Sequence, residues 1–311
     1  MVTLLTYPFS TKMTQTTTVR PPDATLHAAI RLALLFAAIK LIFHILCNAW
    51  QMHIGYGYFR DEFYYLICGQ HLAWGYVDQG PIVAIQAKLS SAIFGHNIVG
   101  IRVLSAAAGA MRVFLTGLLV WALGGRRSAQ ALAMLAALCT SQYLGIDSFL
   151  SMNSCESMFW MPVLLALIMI YRGSNPAKWW IILGISSGLG LLNKPSMVFF
   201  LVALCIALLL TPQRRLLFTR YAALGIAVMI LIALPNLLWQ IHNHWPTLEF
   251  LHNGRVGNKN IHLAPLAFIL QQIMTLGPWT AFVWIPGLIH LLRNRDRRYL
   301  GLTFLDRKSV V

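Results

Sequence analysis

Six of the nine carboxylates in this 311-residue chain lie in three of the polar breaks between long apolar runs. They are Asp61, Glu62, Asp78, Asp147, Glu156 and Glu249. A carboxylate within hydrogen-bond reach of a hydroxyl can accept its proton while the hydroxyl oxygen attacks a carbon atom. Arg60, Lys194 and Arg255 lie in breaks of the same kind, and such cations stabilise phosphate charge. These residue types suit group transfer from a phosphate carrier to a hydroxyl.

The elements that must position these side chains are membrane spans. The chain is 58% hydrophobic and 11% charged, with a mean hydropathy of +0.66, which is too apolar for a soluble domain of this size. A helix that crosses the hydrocarbon core needs about 20 mostly apolar residues. Eight stretches are predicted as spans: Leu26 to Trp50, Asn97 to Leu123, Ala129 to Ile146, Ser157 to Tyr171, Trp179 to Leu192, Met197 to Leu210, Tyr221 to Trp239 and Ala264 to Leu292.

The breaks that hold most of the basic residues predict the orientation, because Lys and Arg accumulate in short cytoplasmic loops. These residues are Lys12, Arg20, Arg126, Arg127, Arg172, Lys178, Arg214, Arg215, Arg220, Arg293, Arg295, Arg297 and Arg298. Eight spans place all of these breaks on one side, which we assign to the cytoplasm. The six acids listed above are therefore expected to face outward.

The formal charge of +15 does not indicate nucleic-acid binding, because the cations are scattered over short loops. Attraction to anionic lipid heads is the better interpretation. The five cysteines form no C-x-x-C pair, so no zinc ribbon is indicated. No cofactor is predicted, although a divalent metal in the second outer loop stays an alternative because of its histidines, His242, His244, His252 and His262.

Two helices that do not cross the membrane are predicted in the first long outer stretch, Gln51 to His96. The run that follows Asp61 and Glu62 is aromatic, amphipathic and too short to span, which is typical of a helix lying in the interface. The second helix should begin at Pro81, since proline suits the first helical position, and should continue to Phe94.

The first outer loop resembles a known family. Residues 57–83 read G-Y-F-R-D-E-F-Y-Y-L-I-C-G-Q-H-L-A-W-G-Y-V-D-Q-G-P-I-V, which is similar to that loop in glycosyltransferase family 39, the protein mannosyltransferase-like membrane proteins that include bacterial aminoarabinose transferases. Residues 184–195, G-I-S-S-G-L-G-L-L-N-K-P, and 235–247, P-N-L-L-W-Q-I-H-N-H-W-P-T, support the resemblance. It implies an all-α, polytopic helical bundle of the GT-C type.

The resemblance also implies a function: transfer of a sugar from a polyprenyl phosphate to a lipid, glycan or protein acceptor on the outer face of the plasma membrane. In that family an Asp of the first outer loop acts as base or orients the acceptor, and Asp61 matches it, with Glu62 beside it. A second acidic position matches Asp147, with Glu156 nine residues later. The family commonly shows D-Q-P-P or D-H-P-P where this chain has Asp78-Gln79-Gly80-Pro81, and the loss of a proline is expected to loosen this turn.

Several of these residues also have structural interpretations. Asp61 could be the N-cap of the helix that follows it. Glu62 should face another way and do a different job, because adjacent helical residues diverge. Asn153 and Glu156 resemble a capping box. Asp147 could be a solvated loop acid, and Lys194 could snorkel from a helix end.

Four cations lie within predicted spans, where they are costly unless they are paired or near an interface. They are Arg31, Lys40, Arg102 and Arg112. Arg102, near the outer end of its span, is expected to reach an outer acid. The sequence does not identify which one.

The predicted organisation is a cytoplasmic tail over 1–25, a membrane domain of about eight spans over 26–292, and a cytoplasmic loop with the start of a further span over 293–311. Because family members continue with further spans, the resemblance implies a truncated chain. A secondary transporter or flippase is the alternative function, and it would place polar residues near the middle of broken helices.

Overall fold

The computed structural model describes residues 25–257 and 264–305, and within them every regular element is helical. The all-α prediction is therefore confirmed. The helices are α1 Leu26–His53, α2 Arg60–Gln70, α3 Ile82–Phe94, α4 Ile98–Ala122, α5 Arg127–Leu138, α6 Ser141–Ile146, α7 Met152–Tyr171, α8 Pro176–Asn193, α9 Ser196–Leu209, α10 Arg220–His242, α11 Pro246–Val256, α12 Pro265–Leu276, α13 Ala281–Arg293 and α14 Arg298–Leu305.

Four of these helices, α1, α4, α7 and α10, are long and apolar enough to cross a membrane. The pair formed by α12 and Pro278–Arg293 would make a fifth span, but it is bent by 97°. Each predicted stretch is largely helical, yet the third is divided between α5 and α6, and α9 has only 14 residues. The chain is thus a membrane protein with several spans, and the count of eight stays a prediction.

Polar residues at the breaks start the long helices. Thr25 caps α1, Asn97 caps α4, Ser151 caps α7 and Thr219 caps α10, each with a side-chain oxygen that accepts a backbone N–H. The two helices predicted in the first outer stretch are present as α2 and α3, and Pro81 is the N-cap residue of α3. Their position at the membrane surface stays a prediction.

The bundle core is built by helix pairs that pack in chain order: α1 packs on α4, α4 on α7, α7 on α8, and α8 on α10. Small residues bring α8 and α10 into close contact, since a Cβ at Gly184 would lie 2.3 Å from the carbonyl oxygen of Gly225. A Cβ at Gly188 would lie 2.7 Å from Cβ of Ile232. These contacts hold α8 against α10 and so help to fix the end of α8, which carries Lys194.

Candidate active site

Asp61 lies on the exposed side of the first turn of α2. Its side chain is 43% exposed, and Oδ1 lies 3.1 Å from Nε of Arg60, which is almost fully exposed. The N-cap of α2 is Phe59, so the N-cap interpretation of Asp61 is wrong. Glu62 forms the cap contact instead, because its Oε2 accepts the backbone N–H of Phe59 at 2.7 Å. Asp61 is therefore not needed to cap the helix and faces outward from it.

Glu62, by contrast, is completely buried under the start of α2. Arg102 of α4 donates to both of its oxygens, with Nε 2.7 Å from Oε1 and Nη2 2.8 Å from Oε2. The backbone N–H of Leu150 donates to Oε1 at 2.8 Å, and Arg102 also donates to Gln51 of α1 at 2.9 Å. The carboxylate has no exposed surface. Glu62 thus has a structural role as the acid that Arg102 was expected to reach, and a catalytic role of Glu62 stays a prediction.

A tyrosine of α2 links Asp78 to the helix that carries Asp61. The hydroxyl of Tyr64 donates to Oδ1 of Asp78 at 2.8 Å. Burial raises the pKa of Tyr64, and the hydrogen bond to Asp78 raises it further. Burial also raises the pKa of Tyr65 to about 12, and the nearby charges of Asp61 and Asp78 add to this rise. The charges of both carboxylates thus act on the same tyrosine.

The turn that carries Asp78 is tightly packed, which contradicts the expected loosening at Gly80. The backbone N–H of Tyr76 donates to the carbonyl oxygen of Gln79 at 3.1 Å, and Gln79 is buried. A Cβ at Gly80 would lie only 1.9 Å from the carbonyl oxygen of Leu192. This position therefore needs glycine because the last turn of α8 lies directly against the backbone.

Lys194, the C-cap residue of α8, is held by residues at the start of α7. Its Nζ donates to Oδ1 of Asn153 at 2.9 Å and lies 3.6 Å from Oε2 of Glu156. Ser196 donates its hydroxyl proton to Oε1 of the same carboxylate. The capping box predicted from Asn153 and Glu156 is wrong, because the N-cap of α7 is Ser151. Sequence reasoning thus assigned Asn153 only to a cap and missed its contact with Lys194.

Four segments meet at one end of the bundle: the start of α2, the Asp78 turn, the start of α7 and the end of α8. Gly80, two residues after Asp78, touches Leu192, two residues before Lys194. Asn193 donates to the carbonyl oxygen of Met152 at 2.9 Å, which ties the end of α8 to the start of α7. The backbone N–H of Leu150, just before α7, donates a hydrogen bond to the carboxylate of Glu62 on α2. We call this end, with Asp61, Asp78, Glu156 and Lys194, the outer cluster.

Asp147 does not belong to the outer cluster. It is fully buried, with Oδ2 2.9 Å from Nη1 of Arg112 and 3.2 Å from Nζ of Lys40, and with Oδ1 3.0 Å from Nη2 of Arg112. A Cβ at Gly109 would lie 2.4 Å from Oδ2, so α4 packs directly on this carboxylate. Full burial contradicts the expectation of a solvated loop acid, whereas a catalytic role of Asp147 stays a prediction. The physical reason is that two cations within predicted spans need a counter-charge.

Arg255 is exposed on α11, and within residues 25–257 and 264–305 no hydrogen bond or ion pair joins it to the outer cluster. Arg60 contacts the outer cluster through its exposed ion pair with Asp61. In the part of the chain that the structure describes, no group of three His, Cys, Asp or Glu side chains could hold a metal ion. His262 lies outside that part.

Comparison with known proteins gives consistent matches. The family described as dolichyl-phosphate-mannose-protein mannosyltransferase matches residues 78–239. Lipid A galacturonosyltransferase RgtD of Rhizobium johnstonii is 24% identical over 82% of this chain and 54% of its own length. Undecaprenyl phosphate-alpha-4-amino-4-deoxy-L-arabinose arabinosyl transferase of Pseudomonas aeruginosa is 30% identical over 70% of this chain and 41% of its own length. The chain spans about half the length of the curated relatives it matches.

Solved structures share the fold. ArnT from Cupriavidus metallidurans in the apo state superposes with a TM-score of 0.66 at 19% identity, over 89% of this chain and 54% of that chain. The same protein bound to undecaprenyl phosphate gives a TM-score of 0.68 at 18% identity, over 89% and 55%.

Proposed function

The chain belongs to the dolichyl-phosphate-mannose-protein mannosyltransferase family, and from this premise we propose that it transfers a sugar from a polyprenyl phosphate donor to an acceptor at the outer face of the membrane. The names of its relatives supply the substrate classes. The Pseudomonas aeruginosa relative is named for an undecaprenyl phosphate-linked aminoarabinose, and RgtD is named for lipid A. The proposed donor is therefore an undecaprenyl phosphate-linked sugar, and the first acceptor to test is a lipid A-type glycolipid, ahead of other lipids, glycans or proteins.

Asp61 is the proposed general base. The acceptor oxygen attacks the anomeric carbon, the bond from that carbon to the phosphate oxygen breaks, and the bonding electrons stay on the phosphate. The acceptor proton passes to the carboxylate of Asp61. The side chain of Asp61 is 43% exposed, and within the described residues its ion pair is with an exposed arginine.

The leaving phosphate needs cations at the same place. Lys194 is the proposed partner, because its ammonium group is partly exposed at the end of α8 beside the Asp78 turn. Arg60 is the proposed second cation, since it lies on the exposed side of Asp61. Arg255 stays a proposal from the sequence. Asp78 has a supporting role, because it accepts the hydroxyl proton of Tyr64 in a hydrogen bond and so orders the wall of the site.

The proposed orientation places the outer cluster in the periplasm or outside the cell, with the protein in the plasma membrane. The support is the segregation of cations into the alternate set of breaks. A transporter is less well supported, since Lys40 and Arg112 lie on the unbroken helices α1 and α4 and both pair with the buried Asp147.

One observation carries the proposal: Asp61 is exposed beside the outer cluster while its neighbour Glu62 is buried. The test is transfer of labelled sugar from an undecaprenyl phosphate donor by the full-length protein. Asp61→Asn keeps the size of the side chain but cannot act as the base, and turnover should fall by roughly 10² to 10⁴. Thermal stability should not change, because the ion pair that is lost is exposed.

The matched control is Glu249→Gln, which removes an exposed carboxylate on α11 that lies outside the outer cluster. Its turnover should equal that of the wild type. An Asp61→Asn protein with wild-type turnover would exclude Asp61 as the base.

A further inference from the structure

The positive charge of Lys194 is already paired with a carboxylate of the protein, that of Glu156. Its ammonium group donates to Asn153 and lies 3.6 Å from Glu156, while Glu156 is itself oriented by the hydroxyl of Ser196. Asn153 and Glu156 are three residues apart on α7 and therefore face the same side of the helix. This arrangement holds one lysine by two side chains of a neighbouring helix.

The pair is accessible to a ligand. The side chain of Lys194 is 25% exposed and that of Glu156 is 15% exposed. An ammonium group has three N–H donors, so two protein partners leave a third for an anion. A phosphate that binds Lys194 from the open side therefore also meets the negative charge of Glu156. That repulsion weakens binding, and it weakens binding of a doubly charged ligand more than that of a singly charged one.

The proposed reaction changes the charge of the lipid phosphate. The donor is a phosphodiester with one negative charge. When the bond from the anomeric carbon to the phosphate oxygen breaks, the electron pair stays on that oxygen and the product is a phosphate monoester. Its second pKa is about 6, so at pH 8 it carries two negative charges. Lys194 alone would bind this product more tightly than the donor and slow its release.

We propose that Glu156 is a positioning residue that holds Lys194 and limits its affinity for the doubly charged product, so that undecaprenyl phosphate can leave. This inference rests on the proposed function. Glu156 does not touch the reacting atoms, and it acts through Lys194. Ser196 and Asn153 fix the geometry of the pair.

The test is direct binding of undecaprenyl phosphate to the full-length protein in lipid nanodiscs at pH 8, which requires no turnover. Glu156→Gln keeps the shape and an oxygen that can accept the hydroxyl proton of Ser196, but it removes the negative charge that lies 3.6 Å from Lys194. The Kd for undecaprenyl phosphate should fall about two- to fivefold, which is the range that a partly exposed ion pair supports. The Kd for a methyl phosphodiester of the same lipid should fall less.

A double-mutant cycle separates this role from a purely structural one. Lys194→Gln should weaken binding, and in that background Glu156→Gln should no longer tighten it. Glu249→Gln should leave the Kd unchanged. If the wild type binds undecaprenyl phosphate but Glu156→Gln binds it equally or more weakly at unchanged thermal stability, the inference is overturned. If the wild type does not bind it at all, the proposed function fails as well.

Discussion

At the scale of single residues, neighbouring acids on α2 have opposite environments. Asp61 is paired with one exposed arginine, and such pairs contribute about 0 to 1 kcal/mol to stability. Glu62 is completely buried and accepts two bonds from Arg102, and removing one partner of a buried pair costs about 3 to 5 kcal/mol. Substitutions at these two adjacent positions should therefore affect different properties, activity at Asp61 and stability at Glu62.

Glu62→Gln is expected to destabilise the protein, because it leaves the Arg102 guanidinium without a counter-charge in the bundle. We expect a loss of about 3 to 5 kcal/mol, seen as a lower midpoint in thermal unfolding in detergent. Replacing Arg102 by Gln as well should recover part of the loss. A stable but inactive Glu62→Gln protein would instead support the predicted catalytic role of Glu62.

Local rules gave mixed results at the scale of residues, because the predicted Asp61 cap and the predicted Asn153–Glu156 capping box are both wrong. Adjacent helical residues diverge, and that rule correctly separated Asp61 from Glu62. Pairing needs three-dimensional contact, so the sequence could say that Arg102 needs an acid but not that the acid is Glu62. For the same reason the burial of Asp147 was not predicted, since its partner Lys40 lies 107 residues earlier in the chain.

At the scale of elements, the outer cluster depends on close approach between the Asp78 turn and the last turn of α8. Gly80 allows this approach because it lacks a Cβ. The contact brings the turn and the C-cap residue Lys194 to the same end of the bundle. Without this backbone contact, only side chains would hold the Asp78 turn against the end of α8 that carries Lys194.

Gly80→Ala should disturb the site without altering a charged group. The new Cβ would lie 1.9 Å from a backbone oxygen of α8, so the turn must shift. Overpacking of this kind typically costs about 1 to 3 kcal/mol, and sugar transfer should fall at least tenfold. Gly57→Ala is the control, because a Cβ there meets no atom within 4 Å. Equal transfer by the two variants would show that this contact does not position the site.

Helix breaks were only partly predictable. The predicted span Ala129 to Ile146 is interrupted at Cys139 and Thr140, and neither Pro nor Gly lies at that break. The bend between α12 and α13 lies at Gly277 and Pro278, a dipeptide that does signal a turn, and the predicted span ran through it. The first break therefore lacks a Gly or Pro signal. The second break carries both residues, and they are enough to predict a turn there.

At the scale of the whole molecule, apolar periodicity and charge segregation were sufficient for the fold class. The expected GT-C-type helical bundle is confirmed by the superposition with ArnT. The sequence could not reveal which breaks meet, because the outer cluster is assembled from α2, the turn before α3, the start of α7 and the end of α8. That assembly depends on helix packing between distant segments.

Orientation is the property on which the proposed site depends most, and it can be tested directly. In a variant with all five native cysteines replaced, Gly57→Cys and Asn243→Cys should react with a membrane-impermeant thiol reagent in intact cells, whereas Ser128→Cys and Phe218→Cys should react only after the membrane is opened. All four positions are exposed, so access across the membrane decides the result. The cations of the alternate breaks, such as Arg126 and Arg220, favour the cytoplasm for the second pair. Labelling of Ser128→Cys in intact cells would reverse the orientation and place Asp61 in the cytoplasm, where an acceptor outside the cell could not reach it.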